Sequence, residues 1–227
     1  NLDFKIMQGN SLLEQYKGID LSTMTEKKVG AKQGITIFDS MLDVYRKNLR
    51  DKLAEYYACP EHDKKVQLRK DIADIVKQEL IEQGIHIDFG DMDLSANSQF
   101  FLWHTWFHDV FSRPSNGGGF DIVIGNPPYI SAPTQIASPE LSEQRQRIVA
   151  SKKYKSLNEK WDLYIPFMEL GMQLLCLNGV FSMIVPYPLT NQKYGKKLRK
   201  MIAEEYRLLE IADLNGTKIF ENATVSN

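Results

Sequence analysis

The sequence has little cysteine, with Cys59 and Cys176 as its two representatives in 227 residues. They lie far apart and have no cysteine neighbours, which excludes a disulfide framework and a zinc ribbon. Cys59 and His62 have a spacing seen in metal sites, but no second pair of ligands accompanies them, so no metal is predicted. A reducing cytoplasm fits this use of cysteine.

Long apolar runs are also missing. No stretch approaches the ~20 apolar residues of a membrane-spanning helix, and the first residues lack the basic start and apolar stretch of a secretory signal. We therefore expect no membrane partner.

A strong net charge is absent as well, because 28 Lys and Arg face 29 Asp and Glu. This balance argues against a simple basic protein that binds nucleic acid. The charge is nevertheless uneven: residues 140–201 hold eleven Lys and Arg and five Asp and Glu, a net +6 that leaves −7 for the remainder. Such a segment could face phosphates, and a solvated helix face explains it equally well.

Two helices are predicted in the first half of the chain. From about Ile35, apolar residues recur every three or four positions up to Tyr56, and Cys59-Pro60 ends the pattern. A second, highly charged helix follows and closes at Gly84. The pair predicts a helical hairpin over residues 35–90. The aromatic segment 100–111 has helical spacing, and we expect it to be buried for packing rather than chemistry.

Short apolar segments alternate with helical ones elsewhere in the sequence. Four segments are predicted as strands: 2–8, 120–124, 180–185 and 208–214. Helices are predicted over 162–177 and 193–205. The strand 120–124 is short and β-branched, as expected of a buried parallel strand. The alternation predicts an α/β fold with a mostly parallel sheet and flanking helices.

The segment Gly125-Asn126-Pro127-Pro128-Tyr129 directly follows the strand 120–124. In open parallel sheets, ligands bind beyond the carboxyl ends of the strands. An adenine or amide nitrogen is a poor nucleophile, because its lone pair is delocalised into the adjacent π system. The Asn126 side chain and the Pro127 carbonyl could accept its two N–H bonds and direct the lone pair outwards.

The residues around these acceptors suit the same task. Two consecutive prolines, Pro127 and Pro128, fix φ and hold the acceptors without induced motion. Tyr129 offers an aromatic face on which a planar base can stack. A proline-rich turn with a buried tyrosine is the alternative interpretation.

Residues 120–129 closely resemble the catalytic motif of amino-methylating, adenine-specific (N6) DNA methyltransferases. The resemblance implies a partial Rossmann-like class I methyltransferase fold that uses S-adenosyl-L-methionine. It also implies direct in-line methyl transfer to N6 of an adenine flipped out of double-stranded DNA. Asn126, Pro127, Pro128 and Tyr129 would then be the catalytic residues.

Other segments extend the resemblance. Gly9-Asn10-Ser11-Leu12 looks like the family's cofactor motif, which implies that Asn10, Ser11 and Asn126 contact the cofactor; an ordinary turn explains Asn10 equally well. Residues 219–225 resemble the motif whose phenylalanine stacks on the flipped adenine opposite the tyrosine. That role would fall to Phe220, with core packing as the alternative.

Segments 160–164 and 179–186 are similar to the helix and strand that follow the catalytic loop in these enzymes. Candidate contacts for DNA phosphates are Lys152, Lys153, Lys155 and Arg199. A helix face exposed to water is the alternative interpretation of these basic residues.

The aromatic segment and the helical hairpin look like those of large restriction-modification enzymes that fuse a methylase to a nuclease. This implies that residues 1–227 are a partial catalytic domain, truncated at both ends, with 35–90 inserted in it. The glycine-rich cofactor loop is expected upstream of Asn1, and a target-recognition domain and a nuclease elsewhere in a larger polypeptide. We expect the piece alone to be inactive.

Two further functions stay open. Methyltransferases that modify a protein glutamine amide or an RNA guanine amino group carry the same tetrapeptide, because the lone pair of those nitrogens is likewise delocalised and makes them poor nucleophiles. The 116 positions between Asn10 and Asn126 favour the large DNA enzymes. A non-catalytic DNA-binding scaffold module is the other alternative, against which the intact Asn126 and Tyr129 argue.

Overall fold

The computed structural model describes residues 4, 6–17, 19–21, 37–82, 84–113 and 117–214, and gives only the backbone of residue 20 and of residues 37–43. The chain forms two compact units, Asn1–Asp109 and Val110–Asn227. Both α-helices and paired strands occur, so the architecture is mixed α/β. Among the residues described, no helix is both long and apolar enough to cross a membrane.

The first unit begins with a small antiparallel pair of strands, β1 (Gln15–Tyr16) and β2 (Ile19–Asp20). The sequence predicts an earlier strand over residues 2–8. Among the described residues of that segment, Gln8 forms an isolated parallel bridge with Ala96 and no longer strand is present.

The two predicted helices are confirmed as α1 (Ile37–Ala58) and α2 (His62–Glu82). They run antiparallel, since ion pairs join residues from opposite ends of the two helices: Arg46 to Glu79, Lys52 to Asp71 and Glu55 to Lys64. Gly84 has a φ of +86°, the left-handed conformation that commonly ends a helix.

Apolar residues of the hairpin and of the aromatic segment form the core of the first unit. Phe100 and Leu102 are almost wholly inaccessible, at 0% and 2% exposure, which confirms the predicted burial for the first part of this segment, whereas no residue of 108–111 is buried. The segment is not one helix, however. It forms two short helices, α3 (Trp103–Trp106) and α4 (His108–Phe111), separated at Phe107 where φ is −114°.

The second unit contains the parallel strands β3 (Phe120–Gly125) and β4 (Leu175–Met183), in register at Ile122 with Val180 and at Gly125 with Met183. Gly119 enters β3 with a φ of +113°, and a Cβ there would lie 2.6 Å from the backbone nitrogen of Cys176. Only glycine therefore permits this approach of the two strands.

One face of the strand pair is packed and the other is open. A Cβ at Gly171 of the helix Tyr164–Gln173 would lie 2.6 Å from the Phe181 ring and 3.3 Å from Val123, so that helix lies against the sheet. Ile122 and Ile124 are 63% and 78% exposed. The expectation of a fully buried strand is thus wrong for one face, because no layer covers that face within the described residues.

The second unit contains four more helices: α5 (Ala132–Ala137), α6 (Pro139–Ala150), α7 (Tyr164–Gln173) and α8 (Lys196–Glu205). The predicted helix 162–177 is shorter than expected because β4 already starts at Leu175, earlier than the predicted strand 180–185. The predicted helix 193–205 begins with a 3-10 turn, Lys193–Gly195.

The predicted strand 208–214 is not formed. Its apolar residues Leu208, Leu209 and Ile211 are 58%, 70% and 71% exposed. A strand needs a neighbour for its backbone N–H and C=O groups, and no described segment pairs with this one. Apolar composition alone was therefore a poor guide here.

Candidate functional site

The candidate catalytic loop, formed by Asn126, Pro127, Pro128 and Tyr129 and hereafter called the catalytic loop, leaves the carboxyl end of β3. A single residue beyond β4 holds both of its ends. The Ile184 backbone N–H donates to the Gly125 carbonyl at 3.2 Å, and the Tyr129 hydroxyl donates to the Ile184 carbonyl at 3.1 Å. Burial raises the pKa of Tyr129, so its hydroxyl remains a neutral donor at physiological pH.

The residues of the catalytic loop differ in exposure. Asn126 is exposed, Pro127 is buried, Pro128 is exposed and Tyr129 is half-buried. Neither the Asn126 side chain nor the Pro127 carbonyl bonds to another residue in the described part of the chain. Both oxygens therefore retain their capacity to accept hydrogen bonds.

A second set of contacts anchors the chain just after the catalytic loop. The Ile130 carbonyl accepts from the Leu163 backbone N–H at 2.9 Å and from Gln135 Nε2 at 3.1 Å. The Ala132 backbone N–H donates to Asp162 Oδ1 at 2.8 Å. Sequence reasoning did not assign Asp162 or Gln135, although the resemblance at residues 160–164 marked the neighbourhood.

Arg145 contacts Gln135, one of the residues that hold this segment, and Trp161. Its guanidinium lies 3.8 Å from the centre of the Trp161 ring and donates to the Trp161 carbonyl at 2.8 Å and to Gln135 Oε1 at 3.0 Å. Burial lowers the pKa of Arg145, and the negative charge of Asp162 opposes that effect. The arginine therefore remains a cation committed to internal contacts.

A pair of tyrosines completes the buried polar cluster. The hydroxyls of Tyr164 and Tyr194 lie 3.1 Å apart. Burial first, and then the Asp162 carboxylate, raise the pKa of Tyr194 to about 12 against an opposing hydrogen bond with Tyr164. Burial and the Tyr194 hydroxyl likewise raise the pKa of Tyr164. Both phenols are therefore neutral at physiological pH.

A family model described as the Eco57I restriction-modification methylase matches residues 20–220, which is most of the chain. The chain belongs to this family. The match contains β3, β4 and the catalytic loop between them, so the loop lies within the region that the family model covers.

Three curated relatives show the extent of the similarity. The type II methyltransferase M.BstVI of Geobacillus stearothermophilus is 37% identical over 103 residues, 45% of this chain and 17% of its own length. M.PaeR7I of Pseudomonas aeruginosa is 33% identical over 135 residues, 59% of this chain and 22% of its own length.

The type II restriction enzyme and methyltransferase RM.Eco57I of Escherichia coli is 32% identical over 107 residues. That match covers 46% of this chain and 10% of RM.Eco57I. The chain therefore spans less than a quarter of the length of each of these three relatives.

The basic residues of this Eco57I-family chain come from two separate runs that the structure brings together. Lys152 and Lys155 are exposed, and Lys153 is half-buried. Lys197 Nζ donates to the Leu157 carbonyl at 2.9 Å, and Asn158 Nδ2 donates to the Lys193 carbonyl at 3.0 Å. These two contacts place the start of α8 beside the loop 151–160.

A buried carboxylate holds the lysine loop in shape. Glu169 of α7 is 0% exposed and accepts from the backbone N–H groups of Lys155 and Ser156 at 2.9 and 2.8 Å. Arg199, the fourth predicted phosphate contact, instead donates from Nη1 to the carbonyls of Leu189 and Gln192 at 2.7 and 2.9 Å. Its observed contacts thus support the turn that precedes α8.

The remaining predicted site residues do not belong to this part of the chain. Asn10 and Ser11 lie in a turn of the first unit, where Asn10 Oδ1 accepts from the Leu12 backbone N–H at 3.3 Å and the Ser11 carbonyl accepts from Trp103 Nε1 at 3.0 Å. This geometry agrees with an ordinary turn, and cofactor contact stays a prediction. Phe220 lies outside the described residues, so its stacking role also stays a prediction.

Proposed function

We propose that this protein is a site-specific DNA methyltransferase of a restriction-modification system, which transfers a methyl group from S-adenosyl-L-methionine to N6 of adenine. The observation that carries the proposal is the catalytic loop, anchored at both ends by Ile184, with the acceptor oxygens of Asn126 and Pro127 unengaged by other described residues. Membership of a methylase family supports the same reaction class.

The proposed chemistry follows from these two acceptors. Asn126 Oδ1 and the Pro127 carbonyl each accept one N–H of the exocyclic amino group, which draws the nitrogen lone pair out of conjugation. The lone pair attacks the methyl carbon as the carbon–sulfur bond breaks, and the electron pair of that bond stays on sulfur. The methylated nitrogen then releases one proton to solvent. No covalent enzyme intermediate is needed.

Residues of this chain also supply the surroundings that the reaction requires. S-adenosyl-L-methionine provides an electrophilic methyl group, and Asn10, Ser11 and Asn126 are the residues that would hold it. Asn10 suits the task, because its side-chain oxygen is engaged by Leu12 while its amide nitrogen bonds to no other described residue and could donate to a ring nitrogen. Tyr129 would stack on the flipped adenine, with Phe220 as the opposite wall.

The proposal extends to the fold. The parallel pair β3 and β4, with α7 against one face, would belong to a larger Rossmann-like class I sheet, and residues 35–90 would be a helical insertion in that domain. The open face at Ile122 and Ile124 agrees with a fold that has a further layer there.

Double-stranded DNA is the proposed partner, with Lys152, Lys153 and Lys155 as phosphate contacts. Because each neutralised phosphate releases counterions, the Lys152→Ala, Lys155→Ala double variant should bind duplex DNA more weakly and lower the steepness of log K against log salt by up to about 2. Fluorescence anisotropy of the full-length protein over a salt series measures both quantities.

A matched pair of exposed lysines in the hairpin, Lys47 and Lys70, supplies the control for this experiment. Their double alanine variant loses the same charge and should keep the salt dependence of the parent. If the Lys152 and Lys155 variant also keeps the parental slope, these lysines do not contact phosphates.

The proposed reaction is tested by incubating the full-length protein with duplex DNA and cofactor labelled in its methyl group, followed by digestion of the DNA to nucleosides. We expect the label in N6-methyldeoxyadenosine. Parallel incubations replace the DNA with a protein or an RNA substrate. Label in a glutamine amide or a guanine there, with none in the DNA, would favour those substrates, and folded protein that labels none of the three would favour a scaffold role.

A further inference from the structure

We infer that Asp162 is a positioning residue for the catalytic loop, acting through its hydrogen bond with the Ala132 backbone. This inference rests on the proposed function of that loop. Asp162 Oδ1 accepts from the Ala132 N–H at 2.8 Å, three residues beyond Tyr129. The next residue, Leu163, donates its own backbone N–H to the Ile130 carbonyl at 2.9 Å. Asp162 and Leu163 thus hold Ala132 and Ile130, which belong to the short segment directly after the catalytic loop.

The covalent structure of the loop explains why an anchor at Ala132 matters for Asn126. The φ angles of Pro127 and Pro128 are fixed by their rings. The upstream end is held at Gly125 by the Ile184 N–H. Rotation about the N–Cα bonds of the two prolines therefore cannot absorb a displacement at residues 130–132, and part of that displacement reaches the Pro127 carbonyl and the Asn126 side chain.

Asp162 is itself held from several sides, as an anchor must be. Its neighbours Trp161 and Leu163 are 2% and 4% exposed. Its carbonyl accepts from the Ile165 N–H at 3.0 Å in the first turn of α7. The groups that interact with its carboxylate are Tyr194, Arg145 and Tyr164.

A purely structural role for the carboxylate makes a different prediction. Helix α5 already has its own N-cap, since Ser131 Oγ accepts from the Thr134 N–H at 3.4 Å. If Asp162 served only helix stability, its removal would reduce the folded fraction and leave the rate constant of the folded protein unchanged. If it positions the loop, the rate constant itself falls.

The test compares Asp162→Ala and Asp162→Asn in the full-length protein by single-turnover methylation, with cofactor and duplex DNA at saturation. Asp162→Ala should lower the rate constant about 10-fold or more, the equivalent of one hydrogen bond to a charged group, with KM for both substrates within about 3-fold of the parent. Asp162→Asn retains an acceptor for the Ala132 N–H and should stay within about 3-fold of the parent.

Hydrogen exchange of a peptide that contains Ala132 supplies a readout independent of activity. Asp162→Ala should accelerate exchange of the Ala132 amide about 10-fold, whereas Asp162→Asn should leave it protected. The matched control is Asp93→Ala in the first unit, because Asp93 Oδ1 accepts from the Ser95 N–H at the same distance, 2.8 Å. That variant should keep the parental rate constant.

Three results would overturn the inference: an unchanged rate constant in Asp162→Ala, a loss of activity that merely follows the folded fraction, or an Asp162→Asn variant as slow as Asp162→Ala. Failure of the proposed function looks different. In that case the parent itself methylates no adenine, while hydrogen exchange still reports whether Asp162 anchors Ala132.

Discussion

Asn126→Ala should lower the rate constant of methyl transfer by about 10²- to 10³-fold, the usual cost of removing one preorganised group that stabilises charge in a transition state. Asn126 is exposed beyond the end of β3, and its side chain bonds to no other described residue. Its removal should therefore leave the fold intact while one N–H of the target amino group loses its acceptor. Single-turnover methylation and thermal unfolding of the full-length variant measure the two effects.

Two further variants serve as controls for the Asn126→Ala experiment. Asn126→Asp keeps an acceptor oxygen and should be more active than the alanine variant. Asn48→Ala removes an exposed asparagine from α1 and should behave as the parent. An Asn126→Ala protein with parental activity would show that this side chain does not receive the target nitrogen.

Tyr129→Ala should lower the rate constant about 10²-fold, since stacking on an aromatic ring contributes about 1–3 kcal/mol per base and the anchor to Ile184 is also lost. Tyr129→Phe separates these two contributions. It keeps the ring and removes only the hydroxyl that donates to the Ile184 carbonyl at 3.1 Å. We expect Tyr129→Phe to remain within about 10-fold of the parent, in line with one neutral hydrogen bond.

The same single-turnover assay, run with duplex DNA and with an oligonucleotide whose target adenine is unpaired, tests the stacking role. An unpaired base costs less to extrude, so it should partly restore the Tyr129→Ala variant. If Tyr129→Phe proves as slow as Tyr129→Ala, the hydroxyl anchor rather than the aromatic face is the essential feature.

Periodicity predicted the helices of the hairpin well, because α1 and α2 each present a long apolar stripe. It could not place the boundary between α7 and β4. Leu174 to Leu177 is a short apolar run that suits a helix or a buried strand equally, and the backbone pairing of Phe120 with Leu175 decided it. At 208–214 the same kind of run was assigned to a strand, and the described residues form none.

The candidate site was predicted from the sequence, whereas the contacts that hold it in place were not. Asn126, the two prolines and Tyr129 are adjacent in the chain, so the acceptor groups, the restricted φ angles and the aromatic ring can all be identified from one short motif. Ile184, Asp162 and Arg145 support this part of the chain through contacts with backbone groups or rings, and two of these contacts join residues 30 or more positions apart. Such contacts leave no recognisable pattern in the sequence. Any residue can supply a backbone carbonyl, and an aspartate that binds a backbone N–H looks like any other polar residue.

Mass-spectrometric quantification of N6-methyladenine in plasmid DNA from methylation-deficient cells tests the proposed adenine methylation inside a cell. One culture would express the full-length protein and a second its Asn126→Ala variant at the same level of soluble protein. We expect the modified base with the parent and its loss with the variant. DNA that lacks N6-methyladenine in both cultures, although both proteins are folded, would contradict the account.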